Sequence, residues 1–339
     1  MRVKTLIATS DTAYTNHISH YISEFHTDTM EISVCNTVEH LRQMQRARRY
    51  DVALIDAQLM KEADLNTVTL PMLLWSQQDL PEAPMVPEHI IKHRRISKTV
   101  SDVLEKYATV SSDIHLPGER AGEITAVWSP AGGVGKTAVA LACAMAAVMK
   151  QRDVFYLNLE SFSGTPVYFT EPSRSISAVL EMLESGDGNI RMFIQSICGM
   201  DNGIKYLYSP ENFDDMCILS ADNISELVTC CADITDNLIV DLSCACDVKT
   251  RKVFELADNI LLVTDKTDAA QHKMTQFISQ SNVYESNKDK IVMVTNKGAT
   301  KTAEIAGELV SLPHIDSMDS AFVYKALAMH MAERANTRV

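Results

Sequence analysis

The segment Ser129–Thr137 reads S-P-A-G-G-V-G-K-T, and its two flanks decide what it can be. An apolar run at residues 124–128 precedes it, and an alanine-rich run at 138–149 follows it. Strand, glycine-rich loop and helix in that order are typical of a phosphate-binding loop, where backbone N–H groups, a lysine and a helix dipole face one anion. The sequence therefore predicts a nucleoside triphosphate site.

The motif assigns roles to individual positions. Lys136 adds a full positive charge to the backbone N–H groups, and Thr137 supplies a hydroxyl ligand for Mg²⁺. The residues predicted to bind the nucleotide are Gly132, Gly133, Val134, Gly135, Lys136, Thr137 and Ala138. A glycine-rich turn that binds nothing is the competing interpretation, which the complete Gly-Lys-Thr ending between correct flanks disfavours.

Charge and cysteine content restrict the partners and the compartment. The formal net charge is −13, and most of the acidic excess lies after residue 107. Because DNA and anionic lipid surfaces recruit basic segments, this balance predicts no nucleic-acid partner. There is no apolar run of about 18 residues and no C-x-x-C pair among the cysteines. We expect a cytoplasmic protein with reduced thiols and no direct membrane insertion.

The length of 339 residues exceeds what one core usually serves, so two domains are expected. Strand-like runs alternate with helix-like runs such as 12–25 and 37–48, and this alternation, which continues in the second half, is typical of doubly wound α/β domains with parallel sheets. The predicted strands are 3–8, 30–34, 51–55, 68–75, 90–92, 154–159, 204–208, 238–242, 260–263 and 291–294. Residues 108–123 are rich in Ser, Asp, Pro and Gly without a period. We predict domains at 1–107 and 124–339, joined by a linker at 108–123.

The loop resembles the deviant Walker A loop of the MinD/ParA family of ATPases. This resemblance implies a P-loop NTPase fold, ATP and Mg²⁺ as cofactors, and a homodimer. Asp241 closes the strand 238–240 as the family's Walker B aspartate does, and with Thr137 it would hold Mg²⁺, although a turn-capping aspartate is the alternative. Asn296 and Lys297 resemble the family position where an asparagine contacts adenine, but Asn at a strand end is also a common turn residue.

Two positions depart from the family pattern. The family has a lysine where this chain has Ala131, and that lysine reaches the phosphates held by the other subunit. Where the family has D-x-D, this chain reads Asn158-Leu159-Glu160, so Glu160 keeps the charge on a longer side chain. Phosphoryl transfer depends on positioning and charge stabilisation, so we predict slow or absent hydrolysis, with Lys136, Glu160 and Asp241 as the expected catalytic residues.

The first domain resembles a CheY-like receiver. A working receiver needs an aspartate after the third strand, acids after the first, a hydroxyl after the fourth and a lysine after the fifth, and this chain offers Asp56, Asp11, Ser76 and Lys92. Ser10 stands where a second acid is usual, which weakens the cation site that an incoming phosphoryl group needs. We favour a docking domain over a phosphorylated one, with Asp56 as the possible phosphoacceptor.

A receiver-like domain ahead of an atypical loop is similar to the TadZ/CpaE proteins, which help to place and assemble Tad-type (Flp) pili. The similarity implies pilus secretion and assembly proteins as partners, and recruitment to the cell pole or the inner-membrane pilus machine. MinD-like relatives carry a membrane-binding amphipathic helix at the extreme C-terminus. Here residues 333–339 are mostly polar, so anchoring through this tail is not expected.

Three functions remain open at this point. The first is an ATP-binding dimeric scaffold for pilus assembly with weak or no hydrolysis. The second is an active positioning ATPase of the MinD/ParA type, in which Glu160 serves the attacking water. The third is a response regulator in which phosphorylation of Asp56 controls the ATPase half.

Overall fold

The computed structural model describes residues 2–27, 29–76, 88–111, 122–171, 173–186, 188–280, 282–298 and 308–335. Within the expected linker, residues 112–121 lie outside this described part, as do residues 336–339 of the C-terminal tail. The chain divides into two compact units, Met1–Asp113 with Asp187–Ser196 and Ile114–Gly186 with Ile197–Val339.

The first unit is built on a parallel five-stranded sheet with strand order β2-β1-β3-β4-β5, the order of flavodoxin-like doubly wound folds. Its strands are β1 (Val3–Ala8), β2 (Met30–Cys35), β3 (Tyr50–Asp56), β4 (Val68–Trp75) and β5 (His89–Ile91). Its helices are α1 (Thr12–Phe25), α2 (Val38–Ala47), α3 (Ala57–Met60) and α4 (Ile96–Val110), with a 3₁₀ turn at Leu65–Thr67. The connection from β3 to β4 is residues 57–67, which contain only short α3 and this turn.

The second unit has an eight-stranded sheet with order β13-β12-β11-β6-β10-β7-β9-β8. Its strands are β6 (Glu123–Trp128), β7 (Val154–Asn158), β8 (Gly199–Asp201), β9 (Ile204–Tyr206), β10 (Asn237–Asp241), β11 (Asn259–Thr264), β12 (Ile291–Thr295) and β13 (Glu308–Ser311). All neighbouring strands are parallel except β8 and β9, which form an antiparallel pair. The expected α/β doubly wound class is confirmed, with one antiparallel edge strand.

Helices cover this sheet. Their bounds are α5 (Lys136–Met149), α6 (Thr165–Tyr168), α7 (Ile176–Ser185), α8 (Ile190–Ile197), α9 (Phe213–Ile218), α10 (Ala221–Asp233), α11 (Val248–Leu256), α12 (Asp268–Gln280), α13 (Asn282–Asn287) and α14 (Ser320–Ala335), with a 3₁₀ turn at Lys288–Lys290. Helix α5 buries Val139, Ala140, Leu141, Ala142 and Ala144 completely, because small side chains let it pack closely against the sheet. None of the described helices is long and apolar enough to cross a bilayer.

Most of α8 belongs to the first unit, although its sequence position is within the second. The N–H of Asn189 donates to the carbonyl of Ala108 at 2.7 Å, and the Ser101 hydroxyl donates to the carbonyl of Ser196. Met192 packs against the core of that unit, which contains Val100. No pattern in the sequence indicates this assignment, since it depends on contacts between segments far apart in the chain.

Candidate nucleotide site

The glycine-rich loop joins β6 to α5 with a backbone that only glycine adopts easily. Gly133 has a φ of +76° and Gly135 a φ of +90°, both in the left-handed region. A Cβ atom at residue 135 would also lie 2.4 Å from Nδ2 of Asn296. Residue 135 must therefore be glycine both for its dihedral angle and for the close approach of Asn296.

The loop lysine is buried and faces a carboxylate. Lys136 begins α5, and its Nζ lies 3.7 Å from Oε1 of Glu160, just beyond the end of β7. The N–H of Glu160 donates to Oδ1 of Asn158 at 2.9 Å, which fixes the backbone that carries this carboxylate. Two of the three expected catalytic residues thus lie together as an ion pair beside the loop.

The third, Asp241, is completely buried within a hydrogen-bonded network that sequence reasoning did not predict. Its Oδ2 accepts from the Tyr156 hydroxyl at 2.9 Å and from Nδ2 of Asn158 at 3.1 Å. Burial, together with the charge of Glu160, raises the pKa of Asp241 to about 7, although the hydroxyls of Thr137 and Tyr156 act in the opposite direction. The one available signal was Tyr156 itself, which lies two residues before Asn158 on the same face of β7.

The other carboxylate oxygen of Asp241 supports a metal-binding role. Among the described residues, Oδ1 is buried without a hydrogen-bond partner, and such an orphaned acceptor is costly unless a cation or donor satisfies it. The neighbouring Thr137 hydroxyl is a second hard oxygen ligand. The residues present therefore fit Mg²⁺, and Thr137 and Asp241 are those that would hold it.

Asn296 and Lys297 tether two consecutive carbonyl groups of the loop. Nδ2 of Asn296 donates to the carbonyl of Val134 at 3.0 Å, and Nζ of Lys297 donates to the carbonyl of Gly133 at 2.6 Å. In a trans peptide the C=O of one residue points opposite to the N–H of the next. Because Asn296 and Lys297 hold these carbonyls, the N–H groups of Val134 and Gly135 point away from the two tethering side chains. An anion site requires N–H groups that are turned outward from the loop in this way.

The lysine tether is itself held in place by Asp265, which follows β11. Nζ of Lys297 lies 3.2 Å from Oδ2 of Asp265. Burial alone would raise the pKa of Asp265, but hydrogen bonds from Thr267 and the Lys297 ammonium keep it below its usual value. Asn296 uses its amide nitrogen in the tether, and its contact with adenine stays a prediction.

Lys297→Met is expected to weaken ATP binding about tenfold, since a charge-assisted hydrogen bond contributes about 1.5–3 kcal/mol and its loss frees the loop carbonyl. Titration calorimetry measures the affinity. The matched control is Lys290→Met, because Lys290 also donates to carbonyl groups, those of Phe254 and Glu255, at the opposite end of β12. Unchanged affinity in Lys297→Met would contradict the tethering role.

Ala131 lies where a lysine was expected from the family pattern. It is buried, and its N–H donates to Oγ of Ser129 at 3.1 Å. A methyl group in this position brings no charge to the loop or to a neighbouring subunit.

Comparison with known proteins identifies the fold of the second unit. No protein-family model matches the sequence, and no curated protein shows significant similarity to it. Among solved structures, the chain is similar to a ParA family ATPase from Chlorobium tepidum TLS, with a TM-score of 0.53, 17% identity, and coverage of 64% of this chain and 99% of the other. The second unit has the ParA-type ATPase fold.

The matched share of the chain equals the size of this ParA-type unit. A second similar structure is the cell division ATPase MinD from Pyrococcus furiosus, with a TM-score of 0.48, 16% identity, and coverage of 63% of this chain and 99% of the other. A third is the MinC:MinD complex from Aquifex aeolicus, with a TM-score of 0.49, 14% identity, and coverage of 64% of this chain and 97% of the other. The ParA-type fold places the loop, Glu160 and Asp241 at the carboxyl ends of neighbouring strands.

The first unit brings Lys92 and Asp11 of its expected receiver site together. Lys92 pairs with Asp11 at 3.4 Å and donates to Oγ1 of Thr9 at 3.1 Å. Asp56 is buried; its Oδ1 accepts from the N–H of Leu59 at 3.1 Å and its Oδ2 from the N–H of Ser10 at 3.2 Å. Both carboxylate oxygens of the possible phosphoacceptor thus serve the backbone.

Asp56→Ala is expected to destabilise the first unit by about 1–3 kcal/mol, because the N–H groups of Leu59 and Ser10 lose their acceptors. Asp56→Asn keeps an acceptor and should cost less. Denaturant unfolding of the full chain measures both effects.

We also expect no phosphoryl adduct after incubation with acetyl phosphate and Mg²⁺, and an adduct mapped to Asp56 would support the response-regulator alternative.

Cys244 is exposed and Cys246 is partly buried, and no two cysteines of the described residues form a disulfide. Within the described ranges, no group of three or more His, Cys, Asp or Glu side chains could hold a metal ion.

Proposed function

We propose that the ParA-type unit binds ATP with Mg²⁺, that the nucleotide stabilises a homodimer, and that this dimer serves as a scaffold for Tad-type pilus assembly with slow or absent hydrolysis. One observation carries the binding part. The buried Lys136 and the tethered carbonyls of Gly133 and Val134 prepare the loop for an anion.

The metal site supports the same assignment. Mg²⁺ neutralises the charge of the phosphates when it is bound. Asp241 has an orphaned buried oxygen, and Thr137 lies in the first turn of α5, so the chain offers two oxygen ligands where the triphosphate would lie. Tyr156 and Asn158 hold the other oxygen of Asp241 and fix the orientation of the carboxylate.

Slow hydrolysis follows from the charges that surround the loop. Ala131 contributes none, and the carboxylate of Glu160 faces the Lys136 ammonium at 3.7 Å, which offsets its negative charge. Catalysis of phosphoryl transfer depends on charges positioned for the transition state, so their absence slows turnover more than it weakens binding.

The pilus role is supported by resemblance. A receiver-like first domain, Ala131 and the segment 156–160, which reads Y-L-N-L-E, together resemble the TadZ/CpaE proteins. Pilus secretion and assembly proteins would then be the partners, with the chain recruited to the cell pole or the inner-membrane machine. Deleting the gene should abolish surface pili, and a Lys136→Ala copy should fail to restore them.

Sedimentation velocity tests the scaffold proposal. The wild-type chain is expected to form a dimer when ATP and Mg²⁺ are added, whereas Lys136→Ala should remain in its nucleotide-free state. Identical sedimentation of the two proteins with and without ATP would reject nucleotide-driven dimerisation. Phosphate release at rates typical of activated family members would reject the scaffold in favour of an enzyme.

An active positioning ATPase is the second candidate, because Glu160 does place a carboxylate beside the loop. In that case Glu160→Gln should abolish stimulated phosphate release while ATP binding persists. For a scaffold, the same substitution leaves an already low release rate unchanged.

A further inference from the structure

An exposed pair of aromatic rings lies on the loop that follows β7 and at the end of the loop that leads into α9, where Phe213 is the first helical residue. The rings of Phe162 and Phe213 stack with centroids 5.7 Å apart and planes inclined by 18°. Phe162 is 82% exposed and Phe213 is 46% exposed. Single apolar side chains on a surface are ordinary, but two stacked rings from separate loops form a contiguous apolar surface of the kind that partners use.

The backbone beneath the rings is held in place. Oγ of Ser209 donates to the carbonyl of Ser163 at 3.3 Å, which joins the two loops. Asn212 caps α9 by accepting the N–H of Asp214 at 3.1 Å, so Phe213 is the first residue of a capped helix. Aromatic side chains on ordered backbone lose little conformational entropy when a partner covers them.

The surroundings of the rings are acidic. The acidic residues within 160–171 and 209–222 are Glu160, Glu171, Glu211, Asp214, Asp215 and Asp222, and neither segment contains Lys or Arg. Glu211 and Asp214 are exposed on either side of Phe213. Lys249 approaches from α11, but its ammonium donates to the carbonyl of Met216. The charge beside the rings therefore attracts cations and repels anions.

We propose that Phe162 and Phe213, with the carboxylates of Glu211 and Asp214, form a docking site for a basic amphipathic segment of a partner protein. These four residues are named the acidic aromatic patch. A second copy of this chain would bring the same carboxylates, and anionic lipid or nucleic acid would bring phosphates, so like charges oppose all three. A segment with Lys or Arg around an apolar stripe complements both the rings and the charges. The inference names a partner chemistry for the proposed scaffold and rests on that function for its biological role.

A synthetic helical peptide with leucine on one face and lysine on the other is the probe, and fluorescence anisotropy with the full chain at physiological salt is the measurement. Phe162→Ser/Phe213→Ser is expected to weaken binding about 30-fold or more, as removal of interface anchors does. Phe25→Ser/Phe322→Ser replaces two other exposed phenylalanines and should leave binding unchanged.

The charges are tested with a second pair of variants. Glu211→Gln/Asp214→Asn should weaken binding several-fold and reduce its dependence on salt. The control Asp268→Asn/Asp316→Asn removes the same formal charge from exposed positions elsewhere and should bind as the wild type does. A peptide in which glutamate replaces lysine should not bind.

Equal binding of the lysine peptide to the wild type and to Phe162→Ser/Phe213→Ser would overturn the proposal, as would no binding to the wild type. Loss of a dimer in that variant, seen by sedimentation, would assign the patch to a second copy, and loss of binding to anionic vesicles would assign it to lipid. Both results also overturn it. ATP affinity is measured on the same proteins, so peptide binding without ATP binding would reject the nucleotide function alone.

Discussion

Lys136→Ala is expected to weaken the binding of ATP with Mg²⁺ by about 100-fold or more, equivalent to about 2.7 kcal/mol. The buried ammonium is the one charged donor that the glycine-rich loop contributes to the phosphates, and hydrogen bonds to charged groups are the stronger ones. Its removal also leaves Glu160 unpaired at 3.7 Å from where the ammonium was, so a negative charge would face the phosphates.

Titration calorimetry measures this loss. The matched control is Lys150→Ala, which removes an exposed lysine from the other end of α5 and should bind ATP as the wild type does. Thermal unfolding of both variants reports whether each is folded. A folded Lys136→Ala protein with wild-type affinity would show that the loop does not hold the triphosphate.

Asp241→Asn is expected to stabilise the protein and to remove most of the effect of Mg²⁺ on ATP binding. The carboxyl pKa is raised to about 7, so the native state holds a proton that the unfolded chain has released above about pH 4. Native stability therefore falls as the pH rises from about 4 to about 7, by up to about 4 kcal/mol. A neutral amide lacks this penalty, although its own NH₂ group needs a partner, so we expect a net gain of about 1–3 kcal/mol at neutral pH.

A gain of that size corresponds to an increase of about 2–12 °C in the unfolding temperature of a unit of this length. The wild type should lose stability between pH 5 and pH 7, and the variant much less. Added Mg²⁺ should strengthen ATP binding in the wild type and have little effect in the variant. Parallel pH profiles for the two proteins would show that burial does not destabilise the charged form of Asp241, and an unchanged effect of Mg²⁺ would show that Asp241 is not a metal ligand.

Long, continuous patterns allowed accurate prediction of several elements. The predicted ranges Thr12–Phe25 and Val68–Trp75 are the observed α1 and β4. Helix α1 begins at a strong local signal, Asp11, which caps it by accepting the N–H of Tyr14. In such segments local propensity and tertiary packing agree.

Short elements were missed because they offer too few residues for a pattern. Strands β8 and β13 have three and four residues. The turn between β8 and β9 contains Asn202 and Gly203, both with positive φ, and this dipeptide is a strong hairpin signal that the prediction of a single strand at 204–208 overlooked. The observed β9 ends at Tyr206.

The candidate site could be predicted as a motif but not as a network. Consecutive residues define the loop, so Gly132 to Thr137 can be recognised from sequence alone. The tethers from Asn296 and Lys297 join residues 162 and 164 positions apart, and the bond from Tyr156 to Asp241 spans 85 positions. Such pairs arise from the order of strands in the sheet, which a single sequence does not encode locally.

The proposed function depends on a loop that captures ATP and leaves it intact. The most direct measurement incubates the full chain with ATP and Mg²⁺, removes free nucleotide by rapid gel filtration, and identifies the retained nucleotide by chromatography. We predict stoichiometric nucleotide that is almost all ATP, and none with Lys136→Ala. Retained ADP would show turnover. A protein free of nucleotide would show that the loop binds neither ATP nor ADP.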